Sequence, residues 1–279
     1  MKSKAGTDTE FFRTEKIPKI LLQIAPPVML AQLIQAMYNI VDSFFVGKYS
    51  EPALTALSVI YPLQLIIIAL AVGTGVGVNT YMARLYAQKM PGQAEETAGT
   101  GTLLALGTWF IFAIFSIFCM RPYVLTSANT PEAIESAVIY GQIVCIGSIG
   151  AFLEGNWTKV HQSRGNMHRP MVAQTVGALT NIMLDPILIF GLGPVPELGV
   201  AGAAYATVCG QVAAAVITSF GGGWQIARAH KNAALYQADL LVWLRVDYYA
   251  GIIYSLYRDL KCDSCRIFRF GSDGAGALL

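Results

Sequence analysis

The sequence predicts an all-α polytopic membrane bundle of six spans followed by an irregular tail. Three observations carry that reading. Charged residues are 13% and hydrophobic residues 54% of the chain, whereas a soluble domain carries about 25% charge. The mean hydropathy is +0.51. Long apolar stretches recur six times, each near or above the roughly 20 residues that cross a bilayer as a helix. A formal charge of +2 says little as a total; its distribution along the chain says more.

Residues 1–16 are polar and lack a short apolar core before a cleavage site, so they read as a cytoplasmic segment rather than a signal peptide. The spans then fall at about residues 17–46, 57–86, 97–120, 134–157, 171–192 and 200–220. Short Gly-, Pro- and Ser-rich connections join them. Basic residues alternate between connections. Lys16, Lys19, Arg84, Lys89, Lys159, Arg164, Arg169, Arg228 and Lys231 fall on one side, and only Lys48 and Arg121 on the other. The positive-inside rule then places the N-terminus in the cytoplasm of a multi-pass inner-membrane protein.

Two carboxylates, Asp42 and Asp185, sit inside spans. A charge at the bilayer centre costs at least about 2.5 kcal/mol, so such residues normally face a bundle interior or cavity and serve an ion path. Asn181 lies one turn before Asp185 on the same face. At about 1.5 Å per residue, Asp42, Asp185 and Thr207 lie roughly 8, 12 and 11 Å inside the outer ends of their spans. Three polar groups therefore share one level. Pro186 removes a backbone donor and frees the Ile182 carbonyl, which makes it a candidate hinge. Pro26 and Pro27 read as helix-start geometry.

Glu154, near the inner end of the fourth span, can attract a cationic substrate or pair with Lys159, and the pair is the favoured expectation. Asn156, Gln142 and Tyr38 are further candidates for lining a cavity. Tyr38, Tyr61, Trp109 and Phe152 can stack on an aromatic drug but read first as packing aromatics, and Gly73, Gly75 and Gly77 as close helix packing rather than a phosphate loop. Cys119, Cys145 and Cys209 fall in apolar helices, and the lone Cys262/Cys265 pair has no second pair to build a metal site with. His161, His168 and His230 are scattered, so no metal site is expected. No nucleophile and base share membrane depth, which argues against an enzyme. No cofactor and no nucleic-acid partner are expected; the bilayer and a small-molecule substrate are.

After Phe220 the character changes. Gly221, Gly222 and Gly223 open a stretch interrupted by charges such as Arg245, Asp247, Arg258, Asp259 and Lys261. Residues 221–279 read either as a cytoplasmic extension or as non-native sequence from a shifted reading frame. A one-base shift from Asp247 permits a nearly uncharged apolar run containing QALY and then GFSDSAVTVLGLY. That run echoes Gln35-Ala-Met-Tyr38 and Gly47-Lys-Tyr-Ser-Glu-Pro-Ala-Leu-Thr-Ala-Leu-Ser-Val-Ile-Tyr61. An echo of the first span after six spans is the pattern of an internally duplicated transporter.

Three motifs resemble the multidrug and toxic compound extrusion (MATE) family of secondary transporters. They are Tyr38-Asn-Ile-Val-Asp42-Ser-Phe-Phe-Val-Gly47, the stretch from Asn181 to Gly191, and Gly199-Val-Ala-Gly-Ala-Ala-Tyr-Ala-Thr207; Gly165-Asn-Met-His-Arg-Pro170 adds a matching connection. The resemblance implies half of a twelve-span fold, with the second lobe missing. It also implies an antiporter that exports cationic or amphipathic compounds against inward protons or sodium, and a cation site of Asp42, Asn181, Asp185 and Thr207. A lipid-linked oligosaccharide flippase is the alternative within transport, although basic residues within the spans are nearly absent. A non-transporting membrane fragment or assembly protein is the alternative outside it.

Overall fold

The computed structural model describes residues 17–128, 130–192 and 195–220, with side chains from residue 25 onward. The expectations for residues 1–16, for the tail 221–279, and for Cys262, Cys265 and His230 lie outside them. All elements among the described residues are helices: α1 Ile17–Tyr49, α2 Glu51–Ala87, α3 Pro91–Leu125, α4 Pro131–Gly147, α5 Ile149–Ser163, α6 His168–Phe190 and α7 Val200–Ser219. Five are long and apolar enough to cross a membrane, and six spans result when α4 and α5 count as one. The chain is a multi-pass membrane protein.

Local chemistry sets the helix ends. Ser50 caps α2 by accepting a hydrogen bond from the Ala53 amide at 3.2 Å, and a proline stands in the first turn of α2, α3 and α4. Proline suits that turn because its missing N–H would have no partner there anyway. α6 stops at Gly191 in the left-handed conformation, φ 69°, where a side chain would be strained. The first helix starts earlier than a helix-start reading of Pro26 and Pro27 allows: both lie inside α1. There they remove two interior donors rather than two that would be unpaired.

The fourth span is not continuous. α4 and α5 meet at 42° across Ser148. The Ser148 hydroxyl donates to the Cys145 carbonyl at 2.6 Å, a local bond that competes with the helix ladder. The two glycines beside it make the break tolerable. A Cβ on Gly147 would stand 2.4 Å from Val208 and one on Gly150 2.8 Å from the Val212 amide, so α7 presses directly against the break. A reading based on apolar length alone cannot register that crossing.

The core joins α2, α3, α4 and α5 around Ile60, Leu63, Met120, Tyr140, Val144 and Phe152, all buried. Long-range bonds stitch it together: Tyr123 donates to the Val59 carbonyl at 3.0 Å and Trp109 to the Ile146 carbonyl at 3.0 Å. Gly75 marks the α2–α5 crossing, its Cβ position lying 2.9 Å from the Gly155 carbonyl. Small residues at such crossings let helices approach closely. α1 instead exposes Met29, Leu33, Met37, Ile40 and Phe44 and packs chiefly on α6. Asp42, the one strongly polar buried side chain among the described residues of α1, faces a cavity walled by α2 and α7.

Candidate cation site and adjoining cavity

The site is assembled where α6 crosses α7. Gly177 and Gly210 face each other there: a Cβ on Gly177 would stand 2.8 Å from the Gly210 carbonyl oxygen, and one on Gly210 2.7 Å from that of Gly177. One turn along each helix from this contact stand Asn181 and Thr207. The absence of two side chains thus brings two functional ones together.

Asn181, Asp185 and Thr207 are 2%, 0% and 6% exposed. The Asn181 amide nitrogen donates to Asp185 Oδ1 at 3.5 Å and reaches Thr207 Oγ1 at 3.4 Å. With the amide turned over, its nitrogen donates to Asp185 Oδ2 at 3.3 Å and its oxygen accepts from the Thr207 backbone amide at 3.2 Å. Either orientation makes Asn181 the bridge between α6 and α7. Asp42, 6% exposed, approaches from α1 and is close enough to Asp185 for their charges to interact. Its Oδ1 meets no hydrogen-bond donor of the protein. Measured from the observed helix ends, Asp42, Asp185 and Thr207 lie roughly 10, 8 and 10 Å deep, closer to one level than the sequence indicated.

Pro186 follows the site directly and lies inside α6, where it leaves the Ile182 carbonyl without its helical donor. The neighbourhood of Asp185 therefore holds a carboxylate, an amide, a hydroxyl and a freed carbonyl. That donor set is oxygen-rich and suits a proton or a hard cation.

Two cavities adjoin the site. A small one of about 60 Å³ is lined by Tyr38, Asp42, Tyr61, Gln64, Thr207 and Gln211, among others. A larger one of about 160 Å³ runs inward and is lined by Gln35, Tyr38, Glu154, Gln174, Asn181 and Thr207, among others. Tyr38, Thr207 and Gln211 line both, so the two share a wall. Tyr38 lies within electrostatic reach of Asp42, Asp185 and Glu154. A third space of about 90 Å³ is lined by Glu154, Gln174 and Lys159, among others.

Tyr38 and Glu154 thus line the cavity as their sequence positions suggested, and Asn156 does not. Asn156 is fully buried against α3, donating to Thr102 Oγ1 at 3.3 Å. It stands two residues beyond Glu154, about 200° around the helix, so the two cannot share one face. Gln142 lies on α4, before the break at Ser148, and lines none of these cavities. Glu154 and Lys159 stay within reach of each other's charge, while each hydrogen-bonds a neighbour on its own helix. Glu154 accepts from Thr158 Oγ1 at 2.7 Å, and Lys159 donates to Gln162 at 3.0 Å.

Sequence reasoning missed Gln35, Gln174 and Gln211. A signal existed: Gln35, Tyr38 and Asp42 fall at i, i+3, i+7, Gln174 and Asn181 at i, i+7, and Thr207 and Gln211 at i, i+4. Each is a polar stripe on one helix face.

Comparison with known proteins gives the arrangement a lineage. The FAD transporter of Shewanella oneidensis is 30% identical over 210 residues, 69% of this chain and 42% of that protein. A probable multidrug resistance protein of Bacillus subtilis is 28% identical over 190 residues, 67% of this chain and 41% of that one. A solved MOP superfamily transporter from Pyrococcus furiosus superposes with a TM-score of 0.74 at 25% identity, covering 85% of this chain and 52% of its own. The chain spans less than half the length of these two curated relatives. The MatE family model matches residues 27–187, more than half of the sequence, and the chain belongs to that family of membrane transporters.

Proposed function

We propose that this chain forms the N-terminal lobe of a cation-coupled exporter of cationic or amphipathic small molecules, set in the cytoplasmic membrane with its N-terminus inside. Asp42, Asn181, Asp185 and Thr207 hold the coupling cation, a proton or sodium. Glu154 and Tyr38 line the substrate cavity, and Pro186 is the hinge of the cation helix. The second lobe that completes the family's fold is the expected partner. The observation that carries this reading is the buried Asp185–Asn181–Thr207 bridge with Asp42 beside it, opening directly onto a cavity.

The mechanism follows from linkage. A cation moves a two-state equilibrium only by binding one state more tightly than the other. A site spread over α1, α6 and α7 meets that condition, because any shift of α1 against α6 alters the separation of Asp42 from Asp185. External cation binding then favours the state that releases substrate outward, and substrate binding inside favours the reverse.

The charge of the lining bears on the cargo. Among the described residues, the larger cavity presents Glu154 and carries neither Lys nor Arg. A carboxylate there attracts cations and repels the phosphates of a dinucleotide, which favours drug-like cations over the cargo named for the Shewanella relative. The same shortage of basic residues disfavours a pyrophosphate-linked lipid.

Accumulation of a cationic dye in cells expressing the chain, with and without Asp42→Asn, tests the proposal. Lowered accumulation that Asp42→Asn restores supports it. Unchanged accumulation in both cases favours a non-transporting membrane protein.

A further inference from the structure

We propose that Gln211 supplies an additional oxygen ligand, beside Asp42 and Thr207, for a sodium ion held in the small cavity between α1, α2 and α7. This rests on the cation-coupled reading above, and goes beyond it by naming a further ligand and the class of ion that ligand selects.

Among the buried side-chain oxygens of the described residues, Asp42 Oδ1 and Gln211 Oε1 both lack a hydrogen-bond donor from the protein. Both residues line the same cavity of about 60 Å³. A buried acceptor without a partner is costly, and two such oxygens on residues that line one cavity call for a shared explanation. Gln211 follows Thr207 by one turn of α7, so the two side chains stand on the same face, their Cα atoms roughly 6 Å apart along the helix. Thr207 in turn contacts Asn181, which reaches Asp185. Asp42 and Gln211 thus share a cavity with Thr207, and Thr207 connects through Asn181 to Asp185.

The number of unmet acceptors distinguishes the ions. A proton bonds to one oxygen and is shared with at most one more. A sodium ion is a hard cation that gathers several oxygen ligands at once, as carboxylates, amide carbonyls and hydroxyls provide for other hard cations. Gln64, on the opposite wall, has its amide nitrogen engaged by the Tyr140 hydroxyl at 3.1 Å, so that donor is already committed elsewhere. Among the described residues, no Lys or Arg lines this cavity to take the ion's place.

The test is thermal unfolding of the 279-residue chain in detergent, titrated with NaCl against choline chloride at constant ionic strength. A ligand that binds only the folded state raises the melting temperature as its concentration passes its dissociation constant. The expected result is sodium-specific stabilisation. Its half-saturation rises tenfold or more in Gln211→Met, stays near wild type in Gln211→Glu, and the effect disappears in Asp42→Asn. If Asp42→Asn abolishes the response while Gln211→Met leaves half-saturation unchanged, the role of Gln211 is overturned and the cation site stands. If the wild type ignores sodium but responds to pH in a way that Asp42→Asn removes, the sodium assignment falls and proton coupling remains. If neither cation moves the transition, the cation reading itself fails.

Discussion

Gly177 on α6 and Gly210 on α7 each occupy the space that the other's side chain would need, with less than 3 Å between either Cβ position and the opposing carbonyl oxygen. That contact fixes the separation of the two helices one turn from Asn181 and Thr207. A larger residue at either position pushes both functional side chains apart. Gly210→Val is expected to cost about 1–3 kcal/mol by overpacking and to abolish any cation response even where the protein still folds. Melting temperature with and without added cation checks both parts.

Asp185→Asn keeps the shape of a fully buried side chain and removes its ability to ionise. Stability is expected to stay within about 1 kcal/mol of wild type, or to rise, since a buried carboxylate is costly to keep charged. Cation-dependent stabilisation is expected to vanish. A variant that loses several kcal/mol and retains its cation response would show that Asp185 is structural.

Glu154 is the one carboxylate on the wall of the larger cavity whose position is set by α5. Glu154→Gln is expected to weaken binding of a cationic dye roughly tenfold or more, the scale of one hydrogen bond to a charged group, and to leave binding of a neutral dye of similar size unchanged. Fluorescence titration with such a pair of dyes in detergent reads the difference. Equal losses for both dyes would point to a packing role.

Thr102 on α3 accepts from two side chains of α5, Asn156 at 3.3 Å and Trp157 at 3.1 Å. Thr102→Val removes that shared acceptor while preserving volume. The expected cost is about 1–3 kcal/mol from the buried amide alone, with dye and cation binding intact. A melting curve beside the dye titration separates this contact from the cavity next to it.

Much of the site was legible because spacing carries it. Asn181 and Asp185 are four apart on one helix, and Thr207 matches them in depth, so elementary helix geometry predicts their level. Which helices touch was not legible. The Gly177–Gly210 contact joins positions 33 apart in the sequence, and nothing local marks those glycines among the chain's 27. The assignment of Asn156 to the cavity failed for a related reason, since a polar residue in a buried helix is equally satisfied by a partner on either side. Gln142 stands twelve residues before Glu154, about 120° around even a straight helix, and so falls on the side of Asn156 rather than of Glu154.

The break at Ser148 also acts at a distance. Glu154 stands six residues beyond it, a lever arm of roughly 9 Å, so straightening the 42° bend would swing that carboxylate by roughly 6 Å. α5 packs on α2, α3, α6 and α7, whereas α4 packs on α2, α3 and α7. The half of this span that carries Glu154 thus touches the helix bearing Asp185. A movement of α6 can be relayed to Glu154 through α5, much as a crank transmits a turn along its arm.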